Sequence, residues 1–350
     1  MANTNDLTDK MEKCVTEEKK NKKNWNDLPD EMKEMVVKEM TFETRTRLKA
    51  CSKLDKYIVE STPISYDKLN IRVTKNRSNF YANLKIHSKL NISFQITVER
   101  NNVIIVRSPR PMIMFLRYGV EKHHTKRVPC SSEEDANKLV ENIIKKMIFD
   151  GNIRFNTAAL FINAPGFLEN TNIIIHAKHI IIYELNSQTI EWLKKVAPKV
   201  ESVSMTDEWG CYNKVEGLET IPAVVNAQKI EIEQYCDISD DQLVSFKCTS
   251  LKIGRPSNIS GKGMNRLIKK AIANDYPIET RFDIRLKHGY VLNDIWKEIT
   301  EGLNVEGVVR THSGRMQREG RSGIIRMRGD KQMTIAVRHD CFEAKIHEKF

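Results

Sequence analysis

Residues 25–60 read WNDLPDEMKEMVVKEMTFETRTRLKACSKLDKYIVE, and this stretch decides how the front of the chain folds. Asn26 or Asp27 can cap a helix, Leu28-Pro29 leads into it, and Met32, Met35, Val36, Val37 and Met40 follow at helical spacing. At about 100° per residue these five side chains spread over roughly 200° of arc, about twice the stripe that packing on one core requires. One flank is therefore spare. Residues 44–50 and 52–60 predict two further short helices, with Leu48, Leu54, Tyr57, Ile58 and Val59 as their apolar contributions. Ser61-Thr62-Pro63 closes the unit. Three helices in so short a stretch, without disulfide or metal, make too small a core to stand alone, so the surplus apolar surface predicts a covering protein.

The order Leu28-Pro29, then Met32, Val36, Val37 and Met40, then Leu48 and Cys51-Ser52-Lys53 resembles an F-box, the module that docks on a Skp-type adaptor and through it on a cullin ubiquitin ligase. The first helix carries Met and Val where that family often has Leu and Ile, and Ala50-Cys51 stands near its usual Val. The resemblance implies that Leu28, Pro29, Met32, Val36, Val37, Met40 and Leu48 supply the adaptor-facing and internal apolar surface. An ordinary helical hairpin of a larger α-domain is the plainer alternative.

The chain has 350 residues, 40% of them hydrophobic and 29% charged, the balance of a globular protein with one large core or two. MANTNDLTDK has no apolar core of the secretory kind and no run approaches membrane length, so the expected setting is intracellular, cytoplasmic or nuclear. Cysteines at 14, 51, 130, 211, 236, 248 and 341 form no C-x-x-C pair, as expected of reduced thiols, and no metal or other cofactor is expected. Of the formal net charge of +11, residues 61–130 contribute +10, with thirteen Lys and Arg against Asp67, Glu99 and Glu121. Residues 1–24 balance their lysines with acids and have almost no apolar content, which predicts a disordered lead.

After Pro63 the period changes from helical to alternating. Ile71–Val73, Leu84–Ile86, Ile92-Phe94-Ile96-Val98 and Val103–Val106 predict strands of a basic β-rich segment over 62–150, with a tight turn at 99–102. The stretch 107–111 interrupts it and 123–127 reads as a polar, basic loop. Ser131 and Glu134 have the spacing of a capping box for a helix reaching about Phe149, with Leu139, Ile143 and Met147 inward.

Over 151–350 the apolar pairs Ile180/Ile182, Val203/Met205, Ile230/Ile232 and Leu251/Ile253 recur every 20 to 30 residues. Helical segments at 187–196, 218–226, 240–246 and 262–274 separate them. That is the period of a leucine-rich-repeat-like stack in a degenerate form, without an asparagine ladder. Later strands are predicted around 282–286, 305–309, 324–327 and 333–337, the last two joined at Gly329-Asp330-Lys331. This ending, behind an F-box, resembles the F-box proteins with an F-box-associated or FTH-type C-terminal domain, which implies substrate recognition there.

The fold class is thus a mixed α+β/α/β chain: a lead (1–24), a three-helix F-box (25–61), a β-rich layer with one helix (62–150), and a degenerate leucine-rich-repeat-like α/β domain (151–350). No catalytic residues are expected. The glycine spacing of 254–263 departs from a phosphate loop, and His176 and His179 fall on opposite strand faces, which disfavours a shared metal. The expected role is a non-catalytic substrate adaptor of a Skp–cullin–F-box ubiquitin ligase that joins a Skp-type adaptor to a protein target, away from membranes. The alternative is a basic nucleic-acid-binding protein, disfavoured because the basic stretch has few aromatics and no binding motif.

Overall fold

The computed structural model describes residues 25–349 apart from 41, 77–78, 88–92, 100–101, 109–123, 149–152, 165–172, 207–216, 236, 288, 290, 314–317 and 339. The expected lead at 1–24, the centre of the turn at 99–102, positions 109–111 of the interruption, Ile92, His123, Cys14, Cys211 and Cys236 lie outside the described residues. The chain divides into two compact units, Met1–Ile64 and Ser65–Phe350. It is a mixed α/β protein with one large mixed sheet and nine α-helices among the described residues.

In the first unit a 3-10 turn, Trp25–Asp27, precedes α1 (Asp30–Glu39), α2 (Phe42–Lys49) and α3 (Lys53–Ser61). Neither Asn26 nor Asp27 caps α1, because both are used in the 3-10 turn; Pro29 occupies the N-cap position without a side-chain bond. Ser52 does cap α3, its hydroxyl accepting from the Asp55 N–H at 3.0 Å. Buried Val37 of α1 meets buried Ile58 and Val59 of α3, and Trp25, Met40 and Leu48 pack around them half-buried. Polar ties complete this small core. Buried Arg45 of α2 donates to the Thr62 carbonyl at 2.6 Å, where its cation faces the negative end of α3.

Among the described residues the sheet has fifteen strands: four from 305–348 at one edge, then six from 153–286, then the five that come first in the chain, from 64–129. The first five are β1 (Ile64–Asn76), β2 (Asn79–His87), β3 (Ser93–Glu99), β4 (Asn102–Ser108) and β5 (His124–Pro129), each antiparallel to the next. Strand β5 replaces most of the loop expected at 123–127: Thr125 and Arg127 pair with Val106 and Ile104, so ladder bonds to β4 override a polar sequence. One face of these strands is apolar, with Leu69, Ile71 and Val73 of β1 beside Ala82, Leu84 and Ile86 of β2.

Helix α4 (Glu133–Ile148) packs against β3 and β4. Its start differs from the expected capping box. Ser132, not Ser131, is the cap, accepting from the Asp135 N–H at 3.1 Å. The inward stripe shifts with it: Ala136, Val140 and Ile144 are buried at i, i+4 and i+8, while Leu139 and Ile143 are half-buried on its flank. The side chain of Met147 lies outside the described residues.

Strands β6 (Ile153–Asn163), β7 (His176–Ile182), β8 (Ser202–Met205), β9 (Lys229–Ile232), β10 (Ser250–Ser257) and β11 (Arg281–Leu286) run parallel. Residues 62–150 and 151–350, distinct in composition, thus share one sheet. Between parallel strands lie α5 (Ser187–Leu193), a 3-10 turn at Leu218–Thr220 with α6 (Pro222–Val225), α7 (Asp240–Ser245) and α8 (Gly261–Ala273). The register places Ile180, Val203, Ile230, Leu251 and Phe282 in one row and Ile182, Met205, Ile232, Ile253 and Ile284 in the next, all buried. These are the recurring pairs of the sequence, opposite one another.

Loop side chains join successive strand–helix units where an asparagine ladder is missing. Asn186 accepts the Thr189 N–H at 2.8 Å and donates to the Ile162 carbonyl at 2.9 Å. Buried Gln234 accepts from the Leu185 N–H and donates to the Thr206 carbonyl. Asp240 accepts the Ser260 N–H at 2.9 Å and its hydroxyl at 2.5 Å, and Ser260 caps α8. Gly263, in the first turn of α8, is required by that contact, since a Cβ there would strike the Asp240 carboxylate. The stretch 254–263 is therefore the end of β10 and a helix start.

Helix α9 (Leu292–Thr300) was not expected, although Ile295, Trp296 and Ile299 are spaced to share one side, and all three are buried. Four antiparallel strands follow, β12 (Val305–Ser313), β13 (Arg318–Arg326), β14 (Lys331–Arg338) and β15 (Cys341–Glu348). Gly329 takes φ 65° in the β13–β14 turn. Unexpected β15 pairs antiparallel with β11 and so attaches the terminal ladder to the parallel strands.

Candidate docking surfaces

The seven apolar positions of the first unit divide by environment. Val37 is fully buried, and Met40 and Leu48 pack half-buried against the same small core. Leu28 is half-buried and Pro29 exposed at the start of α1. Met32 and Val36, by contrast, are 49% and 43% exposed, so they are free to meet something outside. Two groups result: internal Val37, Met40 and Leu48, and outward Met32 and Val36 with Pro29 beside them.

Met35, 69% exposed, joins Met32 and Val36 on α1 at i+3 and i+4 spacing. On α3, Leu54 and Tyr57 are 48% and 68% exposed at i, i+3. The wide apolar arc in the sequence predicted a spare flank on α1, whereas the outward direction of Leu54 and Tyr57 follows from Ile58 and Val59 occupying the inward side of α3. Burying such side chains is worth roughly 1.5–3 kcal/mol each, so these exposed residues leave the three-helix unit with apolar surface that a covering partner would stabilise.

Asp55 fixes the geometry between the ends of the unit. One carboxylate oxygen accepts the Trp25 indole N–H at 2.7 Å and the other the Ser52 hydroxyl at 2.8 Å. The Trp25 bond, and next the Ser52 bond, hold its carboxyl below the usual range.

In the second unit the parallel strands present a polar side opposite the buried rows. Charges there are matched across strands. Lys252 meets Glu233 at 2.5 Å and Glu231 at 2.9 Å. Bonds to Glu233 and then Glu231 raise the Lys252 ammonium above its ordinary range. Arg255 lies over the Tyr235 ring at 4.6 Å and donates to its hydroxyl at 3.2 Å. His179 Nδ1 shares a 2.8 Å hydrogen bond with Ser202, and its Nε2 stands 3.8 Å from Glu201, beyond hydrogen-bond length. This contact links β7 to β8.

His176 and His179 fall on opposite faces of β7, since alternate residues of a strand share a face. Burial, and next Arg154, pulls the His176 pKa down. The Cys248 thiol is pushed up to about 12 and Cys341 to about 11, in both cases chiefly by burial, so neither offers a ready thiolate at neutral pH. Among the described residues no group of three His, Cys, Asp or Glu could hold a metal ion. None of the described helices is long and apolar enough to cross a membrane.

Comparison with protein-family models, with curated proteins and with solved structures returned no match.

Proposed function

We propose that this chain is a substrate-recognition subunit of a Skp–cullin–F-box ubiquitin ligase, with its first unit as an F-box and its second, a degenerate leucine-rich-repeat-like domain of F-box-associated or FTH type, holding a protein target. Catalysis in such a complex comes from proximity: the subunit raises the effective concentration of the target beside a charged ubiquitin-conjugating enzyme and performs no bond chemistry itself. The setting is cytoplasmic or nuclear.

The observation that carries this reading is the outward apolar set Met32, Met35 and Val36, preceded by Leu28-Pro29, on a unit whose small core cluster among the described residues is built on buried Val37, Ile58 and Val59. Such a unit gains from a partner that covers its spare face, as an adaptor does. A pull-down of a Skp-type adaptor tests it. Leu28→Ala with Pro29→Ala should weaken capture by an order of magnitude or more, and Met32→Glu with Val36→Glu should abolish it. Undiminished capture by both double variants overturns the assignment.

A further inference from the structure

Within 61–130 thirteen Lys and Arg face three acids, whereas in the rest of the chain 44 face 43. The strands of the sheet differ in the same way. From β9 onward the polar side neutralises itself, with pairs Lys229–Glu231 at 3.6 Å, Lys252–Glu231, Arg338–Glu343 at 3.7 Å and Lys345–Glu279 at 3.3 Å. On β1–β5 the face opposite the buried Leu69-Ile71-Val73 row follows another pattern. There the register aligns Lys68 with His87 and Ser93, and Asn70 with Lys85 and Gln95, with Lys68, Lys85 and His87 half-buried. The next row aligns Arg72 with Asn83, Thr97, Ile104 and Arg127, and in it Asn83 and Thr97 are buried. None of Lys68, Lys85 and Arg127 has an ion-pair partner among the described residues. The acidic register position on this side is Glu99, at the end of β3.

We propose that the part of this face around Lys68, Lys85 and His87 docks an acidic, extended segment of a partner protein, with these three residues as the anchor for one of its carboxylates. The field there is positive in its effect on a neighbour: burial, then Lys68 and Lys85, lower the His87 pKa, against a smaller opposing pull from Asp67. Ser93, opposite His87 on β3, carries no charge. An arriving carboxylate supplies the counter-charge that the rest of the sheet supplies for itself, and steers the encounter as well.

A polypeptide suits the face better than nucleic acid because Tyr66 and Phe161 on this side are already engaged within the sheet. Tyr66 stacks on Phe155 with centroids 6.3 Å apart, and Phe161 is buried with the Arg72 guanidinium 4.7 Å above its ring. Single-stranded bases need open rings to stack on.

The test is fluorescence anisotropy of a labelled glutamate-rich peptide titrated with the full chain at low and physiological salt, with unlabelled single-stranded RNA and duplex DNA as competitors. The peptide should bind at low salt, weaken as salt rises, and lose about tenfold or more in affinity with Lys68→Glu and Lys85→Glu. The pair Lys229→Glu and Lys345→Glu makes the same change in net charge on the self-neutralised strands and should leave affinity within about twofold. Lys68→Gln and Lys85→Gln, a milder pair, should give an intermediate loss if the glutamate variant does not fold. Equal losses from both charge-reversal pairs, no peptide binding at low salt, or displacement by RNA or DNA at lower concentrations than unlabelled peptide would each overturn the proposal.

Discussion

The indole N–H of Trp25 donates to Asp55 Oδ1 at 2.7 Å, thirty positions along the chain, and locks the turn before α1 onto the first turn of α3. Because Asp55 is buried and also receives the Ser52 hydroxyl, a lost donor leaves a charged oxygen without compensation. Trp25→Phe, which keeps a ring and removes the donor, should cost the first unit about 1.5–3 kcal/mol. Hydrogen exchange of the α1 and α3 amides should accelerate in step. Since the folded pKa of Asp55 is depressed below 3.8, its contribution is present above that pH and lost as pH falls through the folded value. The gap between wild type and Trp25→Phe should therefore close at strongly acid pH; a gap independent of pH contradicts the assignment.

Two histidines act in the opposite part of the pH range. The pKa values of His87 and His176 are lowered in the fold, chiefly by burial, with Lys68 and Lys85 adding to the first and Arg154 to the second. The unfolded chain then binds more protons than the folded one between the folded pKa and 6.5, so stability rises with pH through that window. Thermal midpoints should fall as pH drops below about 6.5. His87→Gln with His176→Gln should flatten that dependence, and an unchanged slope in the double variant refutes the sign.

Gly263 sets helix propensity against contact. Propensity alone predicts that Gly263→Ala stabilises α8 by about 0.8–1.0 kcal/mol. The Asp240 carboxylate, held by two bonds from Ser260, occupies the space a Cβ needs, so the structure predicts a lower denaturation midpoint instead. Combined with Asp240→Ala the cost should be less than additive. Additive losses, or a stabilised single variant, would show that Asp240 yields freely.

Legibility in the sequence followed the range of the forces involved. The pairs from Ile180/Ile182 to Leu251/Ile253 were visible because a strand facing a buried layer must repeat every second residue, and the register sets them opposite one another. Helix α9 escaped because LNDIWKEIT is short and lies among strand signals, so Ile295, Trp296 and Ile299 were not recognised as one buried side. On α1, neighbouring Val36 and Val37 look alike in sequence, yet Val37 is buried and Val36 exposed. That difference depends on Ile58 and Val59, some twenty positions away, and so could not be read from local spacing. The capping role of Ser132 over Ser131 is likewise a difference of one position, decided by Asp135. Gly263 was noted as a break in a phosphate-loop pattern, and its contact with Asp240 gives the reason only when α7 and α8 are seen together.

The outward apolar set of the first unit is the centre of the account, and size-exclusion chromatography with light scattering tests it most directly. The full chain mixed with a purified Skp-type adaptor should elute as a one-to-one complex that Met32→Glu with Val36→Glu dissociates, while that variant keeps the helical content of the wild type. Separate elution of the wild-type chain and the adaptor at micromolar concentrations would contradict the account.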